Sequence, residues 1–205
     1  MATAAATIDV AGLPDHAIGE RAPLWWGVLL MLVIESTMFA MLLATYLYIR
    51  STSDAWPPLG TPPPDQLPGL VTTLVLLLSA VPQWAADQYA WHPSPANDTK
   101  VRWSLVAATV LAFAVLVPRC FELASLHCGW DSHAYGSIVW TIVGMHTFHV
   151  ATSAVETAVL TVYLFRRPLD EKHRLDLNVN SLYWYFVTAW WLPAYALVYF
   201  GPSLL

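Results

Sequence analysis

Five long apolar stretches dominate this sequence and constrain its fold more than any other feature. They cover residues 24–49, 67–90, 103–126, 135–165 and 182–200. A helix that crosses a membrane needs about 20 mostly apolar residues, and each stretch is close to that length or longer. We therefore predict an all-α integral membrane bundle of five transmembrane helices. Residues 24–205 would form one domain, and the polar residues 1–23 would form a mobile N-terminal tail.

The composition supports a membrane environment. Of the 205 residues, 57% are hydrophobic and only 11% are charged, whereas about a quarter of an ordinary soluble domain is charged. No Lys- or Arg-rich tract is present that could neutralise a run of phosphates, which argues against nucleic acid binding. The two cysteines, Cys120 and Cys128, lack the spacing of a metal site. They are predicted to be packing thiols, and the sequence leaves a disulfide between them open.

The basic residues predict the orientation, because Lys and Arg are retained on the cytoplasmic side during insertion. If the N-terminus is inside, the inner segments contain seven of the nine basic residues: Arg21, Lys100, Arg102, Arg166, Arg167, Lys172 and Arg174. Arg50 lies in an outer loop, and Arg119 lies within the third stretch. This distribution predicts a cytoplasmic N-terminus and an outer C-terminus. The alternative is a four-helix protein in which one stretch lies in the membrane interface.

Several charged or polar residues lie inside the apolar stretches. A charge at the centre of a bilayer costs at least about 2.5–3.5 kcal/mol, so it normally faces a partner, a cavity or other protein. Glu35 lies near the middle of the first stretch, on an otherwise apolar stripe. Arg119 and Glu122 are three residues apart, a spacing that allows them to pair on one helix. Four residues of the fourth stretch share one helix face, which we call the polar seam: His146, His149, Ser153 and Glu156.

These polar residues allow three interpretations. The favoured one is interhelical hydrogen bonding or lipid-headgroup contact that holds the bundle together. The second is proton conduction. The third is a metal or haem site that uses His146, His149 and Glu156 or Glu35. Two histidines on one face of one helix do not reach opposite axial positions on a single haem, which weakens the third interpretation. The aromatic residues of the last stretch are predicted to form an interfacial belt with packing contacts: Tyr183, Trp184, Tyr185, Trp190 and Trp191.

A set of short motifs follows a recognisable order along the chain. The first stretch, WWGVLLMLVIESTMFAMLLATYLYIR, contains Glu35 and is followed by Trp56-Pro57-Pro58. Glu122 lies near the end of the third stretch, and AYGS at 134–137 precedes GMHTFHV at 144–150. The last stretch reads SLYWYFVTAWWLPAYALVYF. Together these motifs resemble the cytochrome c oxidase subunit III family of the haem–copper oxidases, in its five-helix bacterial form. The resemblance spans nearly the whole membrane part.

The resemblance assigns family positions to particular residues. It carries over four of them: Glu35, Glu122, His146 and His149. Two positions of the last helix depart from the family, because Tyr185 and Thr188 replace a histidine and an aspartate. Arg119 and Glu156 stand where neutral residues are expected. The buried polar network is therefore expected to be rewired, as in a divergent branch whose chain starts at the third helix of the seven-helix form.

What the resemblance implies is a non-catalytic subunit of an oxidase. The chain itself would bind no haem, copper or other metal, and those cofactors would lie in partner subunits. It would contact subunit I directly, with subunit II and small subunits as further partners. It would hold phospholipid in a cleft between its first two helices and the rest, stabilise subunit I and support proton uptake. The whole enzyme would transfer electrons from cytochrome c or quinol to oxygen and translocate protons across a bacterial inner membrane.

Three other functions remain open at this point. The altered last helix is compatible with a subunit III-like protein associated with nitric oxide reductase. A small membrane transporter or proton channel would use Glu35, Glu122 and Glu156 on its own. A membrane metalloenzyme would need metal bound to the isolated chain.

Overall fold

Five long helices make up the chain in the computed structural model, which describes residues 22–92 and 94–204. They are α1 (Pro23–Ser51), α2 (Gln66–Ala90), α3 (Pro95–Ala124), α4 (Ala134–Arg166) and α5 (Glu171–Tyr195). The prediction of an all-α protein with five helices is confirmed. Helices α1 to α4 are each long and apolar enough to cross a membrane. Most of the predicted tail, residues 1–21, lies outside the described residues, and α1 already begins at Pro23.

Helix α5 differs from the other four in its first half. That half carries charged and polar residues, whereas the second half is apolar and aromatic. The apolar run continues beyond Tyr195 through a π-helical turn, Ala196–Phe200, and a short helix α6, Gly201–Leu204. The predicted start of this helix at residue 182 is wrong by about three turns. Asp170 caps the helix earlier, because its carboxylate accepts a hydrogen bond from the His173 amide at 3.0 Å.

Helix α3 also begins earlier than the predicted residue 103. Pro95, Asn97 and Asp98 all lie in the first turn of α3. Ser94 is the N-cap, and its hydroxyl accepts a hydrogen bond from the Asn97 amide at 3.2 Å. Pro95 follows at the first helical position. A backbone N–H there would have no acceptor within the helix, so a proline at this position loses no hydrogen bond. Pro93 lies outside the described residues.

Helices α2, α3, α4 and α5 form a ring in which each packs against its two neighbours. Helix α1 packs outside this ring, against α4 and α5. Only three of its side chains are buried, namely Leu32, Phe39 and Tyr46. The interior of the ring therefore belongs to α2–α5, and α1 covers the groove between α4 and α5.

The proline-rich segment between α1 and α2 packs across one end of the bundle. Trp56 is buried between Tyr46 and Tyr135, with ring centroids 5.0 and 4.8 Å away. Its indole N–H donates a hydrogen bond to the Tyr46 hydroxyl at 2.8 Å. Thr61 also contacts His133 at 3.0 Å, and His133 is the N-cap of α4. The segment thus fixes the end of α1 to the start of α4.

Candidate functional site

The predicted pair of Arg119 and Glu122 is confirmed and lies at the centre of a buried network. One guanidinium nitrogen, Nη1, donates to Glu122 Oε2 at 2.9 Å, and both side chains are almost fully buried. The guanidinium carbon lies 3.9 Å from the centroid of the Trp191 ring. We call the set Arg119, Glu122, His146, Trp191 and Tyr199 the arginine cluster. It joins α3, α4 and α5 with the π-helical turn that follows α5.

The hydrogen bonds of the arginine cluster define the tautomer of His146. Arg119 Nη2 lies 3.0 Å from His146 Nδ1, and arginine has only donors, so Nδ1 accepts. His146 Nε2 lies 3.1 Å from the carbonyl oxygen of Val187, which only accepts. The proton is therefore on Nε2, and the imidazole is neutral. The cluster then contains one positive and one negative side chain, and the two charges are paired with each other.

Tyr199 completes the cluster from the C-terminal end of the chain. Its hydroxyl donates a hydrogen bond to Glu122 Oε1 at 2.7 Å. Gly69, near the start of α2, lies directly against the Tyr199 ring, and a Cβ atom at this position would overlap it. Gly69 is therefore required for the close approach that seats Tyr199 on Glu122.

A second network surrounds Glu35 where α1 meets α4 and α5. Glu35 Oε2 lies 3.6 Å from His149 Nε2, and the Tyr183 hydroxyl lies 3.4 Å from Glu35 Oε1. His149 Nδ1 lies 2.7 Å from the Met145 carbonyl, so Nδ1 carries a proton and donates it. At 3.6 Å the two side chains are within ion-pair range but are not hydrogen-bonded, and Glu35 Oε2 has no hydrogen-bond partner among the described residues. We call Glu35, His149 and Tyr183 the glutamate cluster.

The polar seam does not act as one unit. His146 belongs to the arginine cluster, His149 belongs to the glutamate cluster, and Ser153 is buried with no hydrogen-bond partner for Oγ among the described residues. Glu156 is exposed and makes no hydrogen bond within residues 22–92 and 94–204. Its carboxyl is still close enough to Glu35 for the two acidic groups to interact electrostatically. The shared helix face is present, but neighbouring helices divide it.

Of the two positions predicted to diverge in the last helix, Thr188 is buried and Tyr185 is half-buried. Tyr185 and Thr188 each have a buried hydroxyl that finds no hydrogen-bond partner within the described parts of the chain. Tyr185 lies near Asp87 of α2, which accepts a hydrogen bond from Asn178 at 3.1 Å. The hydroxyl oxygens of both residues are therefore inside the bundle, although part of the Tyr185 side chain is exposed.

Sequence reasoning missed a row of hydrogen bonds between α2 and α5. The four pairs are Thr73 with Trp191 (2.8 Å), Ser79 with Trp184 (3.1 Å), Gln83 with Ser181 (3.0 Å) and Asp87 with Asn178 (3.1 Å). Of the predicted interfacial belt with packing contacts, only the packing contacts hold for Trp184 and Trp191, which are 2% and 0% exposed. The available signal was the set of polar residues at helical spacing along the second apolar stretch.

Metal-ligating residues do not cluster in the described part of the chain. No group of three or more His, Cys, Asp or Glu side chains in residues 22–92 and 94–204 is arranged to hold a metal ion. Both cysteines are free thiols. Cys120 is exposed on α3, so the packing role predicted for it is wrong, whereas Cys128 is half-buried in the loop that follows.

The fold and these networks define a multi-pass membrane protein whose buried charged side chains pair with each other inside a helical bundle. The family described as cytochrome c oxidase subunit III matches residues 7–203. The chain therefore belongs to the cytochrome c oxidase subunit III family, whose members are subunits of an oxidase complex.

Individual relatives support this assignment over most of the chain. A protein of Podospora anserina named cytochrome c oxidase subunit 3 is 28% identical, and the match covers 93% of this chain and 72% of the relative. A protein of the same name from the cyanobacterium Synechocystis is 28% identical over 85% of this chain and 74% of its own length. A third, from Rhizopus stolonifer, is 36% identical over 70% of this chain and 50% of its own length.

Proposed function

We propose that this chain is the five-helix bacterial form of subunit III and has no redox role of its own. Its family membership and the self-contained pairing of its buried charges carry the proposal. In the arginine cluster, Arg119, Glu122 and His146 bind one another and the backbone, so their ligand atoms are already occupied. Haem and copper would lie in partner subunits, with subunit I in direct contact and subunit II and small subunits nearby.

We further propose five membrane spans, with a cytoplasmic N-terminus and an outer C-terminus. The four hydrogen-bonded pairs between α2 and α5 support the fifth span. Thr73 and Asp87 lie toward opposite ends of α2, and their partners Trp191 and Asn178 lie toward opposite ends of α5. Helix α5 therefore runs alongside α2 for most of its length and would occupy the same depth in the bilayer. The positive-inside distribution of Lys and Arg supports the orientation.

The glutamate cluster is the proposed site of the supporting role in proton uptake. The contact between Glu35 and His149 lies where the outer helix α1 meets the ring, so proton binding at this contact would be coupled to the packing of α1. Stabilisation of subunit I would depend on the same packing of α1 against α4 and α5.

Phospholipid is proposed to bind beside α1. The resemblance implies instead a cleft between the first two helices and the rest of the bundle. Helix α2 is part of the ring, where it packs against α3 and α5, while α1 packs mainly on α4 and α5. The first two helices therefore do not form a separate pair. The groove flanked by α1 and α2 would hold the lipid.

The test is affinity purification of the tagged full chain from its native membranes in a mild detergent. Haem spectroscopy and mass spectrometry would identify what co-purifies. We expect a haem-bearing subunit I, a copper-bearing subunit II, and oxygen consumption driven by cytochrome c or quinol. A colourless chain that purifies alone would contradict the proposal, as would proton flux catalysed by the isolated chain in liposomes.

A protein associated with nitric oxide reductase is the second candidate. The half-buried Tyr185 and the buried Thr188 favour it, because these two positions depart from the family pattern and have buried hydroxyl oxygens without a partner among the described residues. The same purification distinguishes the two candidates. A co-purifying complex that reduces nitric oxide and lacks oxidase activity would select the second.

A further inference from the structure

A small pocket opens on the outward face of the bundle where α4 begins. Its volume is about 360 Å³, in the lower part of the range of roughly 300–1,000 Å³ that is typical of ligand pockets. Five residues line it: Trp130, Asp131, Ser137, Trp140 and Thr141. The first two belong to the loop before α4, and the other three lie in its first two turns.

Three of the polar hydrogens of the pocket are already used by the protein, those of Ser137, Trp140 and Thr141. The Ser137 hydroxyl donates to the Trp130 carbonyl at 2.8 Å, and the Thr141 hydroxyl donates to the Ser137 carbonyl at 2.7 Å. The Trp140 indole N–H donates to the Cys128 carbonyl at 2.7 Å. These three groups therefore offer the pocket only oxygen lone pairs and an aromatic face.

The remaining lining residues add negative character. Asp131 is an exposed carboxylate, and no ion pair involves it within residues 22–92 and 94–204. Trp130 is 68% exposed and supplies a second indole. Tryptophan is the aromatic residue whose face attracts cations best, and aromatic residues grouped with an acid are typical of sites for quaternary ammonium ligands. The lining is thus suited to a cation, and no lining residue is basic.

The depth of the pocket indicates where that cation comes from. Trp140 and Thr141 lie roughly 9–11 Å along α4 from Ala134, at 1.5 Å per residue. Helix α4 has 33 residues and is therefore longer than the roughly 30 Å hydrocarbon core. With the excess length divided between the two ends of the helix, its first turns lie in the headgroup layer. The positive end of the α4 dipole would repel a cation, but this effect is confined to the first turn of the helix. In that turn the Gly136 amide already donates a hydrogen bond to His133 Nδ1 at 2.9 Å.

We propose that this pocket binds the ammonium group of a zwitterionic phospholipid, phosphatidylethanolamine or phosphatidylcholine. The ammonium lies between the two indoles, with Asp131 as its counter-charge and the Ser137 and Thr141 oxygens as acceptors. The acyl chains run down the exposed apolar face of α4, past Phe148. This site is distinct from the groove between α1 and α2, and it does not depend on the identity of the oxidase.

The test measures which lipids the full-length chain retains. The chain is reconstituted in nanodiscs of equal parts phosphatidylethanolamine, phosphatidylcholine and phosphatidylglycerol, extracted gently and analysed by native mass spectrometry. We expect enrichment of the two ammonium lipids over phosphatidylglycerol. Enrichment of phosphatidylethanolamine alone identifies a primary ammonium, and enrichment of both identifies any ammonium group.

Matched variants assign the enrichment to the pocket. Asp131→Asn and Trp130→Ala are each expected to lower it about two- to fivefold. Asp54→Asn removes an exposed carboxylate from the loop before α2, and Trp84→Ala removes an exposed indole from α2. Both controls are expected to retain the enrichment. Asp131→Glu keeps the negative charge and is expected to preserve the lipid enrichment. This variant separates loss of binding from loss of folding.

Two results would overturn the proposal. One is equal retention of all three lipids, or equal loss in the Asp54→Asn and Trp84→Ala controls. The other is a zero-length carbodiimide cross-link, in the intact complex, between Asp131 and a lysine of another subunit, together with lipid retention that is insensitive to Asp131.

Discussion

The hydroxyl of Tyr199 donates a hydrogen bond to the carboxylate of Glu122 across 77 residues of sequence, at 2.7 Å. This contact connects the C-terminal end of the chain to the buried ion pair of α3. Glu122 is 0% exposed and Tyr199 is 3% exposed, so water does not replace either partner when the other is removed.

Replacement of Tyr199 by phenylalanine should therefore destabilise the bundle. The change removes one hydroxyl and leaves Glu122 Oε1 buried without this donor, at a cost of about 1–3 kcal/mol. The measurement is denaturant or thermal unfolding of the full chain in detergent micelles. Tyr48→Phe is the matched control, because the Tyr48 ring is 69% exposed. Equal stability of the Tyr199 and Tyr48 variants would contradict the prediction.

Replacement of Gly69 by alanine should disturb the same contact from the opposite side. The added methyl group would overlap the Tyr199 ring, and overpacking of this kind costs about 1–3 kcal/mol. A Cβ at Gly144 would meet no atom within 4 Å, so Gly144→Ala is expected to be neutral or slightly stabilising because alanine favours the helix. Thermal unfolding of both variants is the measurement. Equal stability of Gly69→Ala and Gly144→Ala would contradict the close packing of Gly69 against the Tyr199 ring.

Removal of Arg119 alone should be worse than removal of the whole ion pair. Arg119→Leu leaves the Glu122 carboxylate buried without its cation, which costs about 3–5 kcal/mol. Arg119→Leu combined with Glu122→Leu removes both charges and should recover part of that loss. A double-mutant cycle on unfolding free energies measures the difference. If the loss of unfolding free energy in the double variant equals the sum of the losses in Arg119→Leu and Glu122→Leu, the two residues are not coupled.

Replacement of Trp191 by phenylalanine should weaken the contact between α2 and α5. It removes the hydrogen bond to Thr73 and reduces the aromatic surface under Arg119, with an expected loss of about 1–3 kcal/mol. Trp84→Phe is the control, since Trp84 is 58% exposed. Unfolding in detergent compares the two, and a larger loss for the Trp84 variant would contradict the assignment of Trp191 to the interior.

Glu35→Gln tests the glutamate cluster in the assembled enzyme. The change removes the carboxyl group that lies 3.6 Å from His149 but retains the shape of the side chain. We expect unchanged spectra of the oxygen-reduction centres, together with weaker retention of this subunit or its lipid during purification. Optical spectra and subunit stoichiometry are measured on the same preparation. Altered haem spectra in a complex that still contains the subunit would contradict the prediction.

The parts of the structure that depend on local spacing could be predicted from the sequence. Arg119 and Glu122 are three residues apart on one helix, and a helical periodicity is enough to pair them. The third partner, His146, is reached only when α3 packs on α4, so no local pattern reveals it. The same reasoning explains why the polar seam divides between two networks.

The sequence-based predictions that were wrong have equally specific physical causes. Tryptophan is enriched at membrane interfaces, but Trp184 and Trp191 face α2, where Ser79 and Thr73 accept their indole N–H groups. The predicted start of the third helix at residue 103 was too late, because Pro95 follows a serine N-cap and a proline in that position begins a helix. In both cases the residue type was recognised and its position relative to a partner decided the outcome.

The haem content of the affinity-purified full chain tests the central claim most directly. The proposed role as subunit III predicts a complex with one haem-bearing subunit I per chain, whose reduced-minus-oxidised spectrum is that of a haem–copper oxidase. The chain recovered without haem, after mild extraction that leaves the oxidase of the same membranes intact, would contradict it.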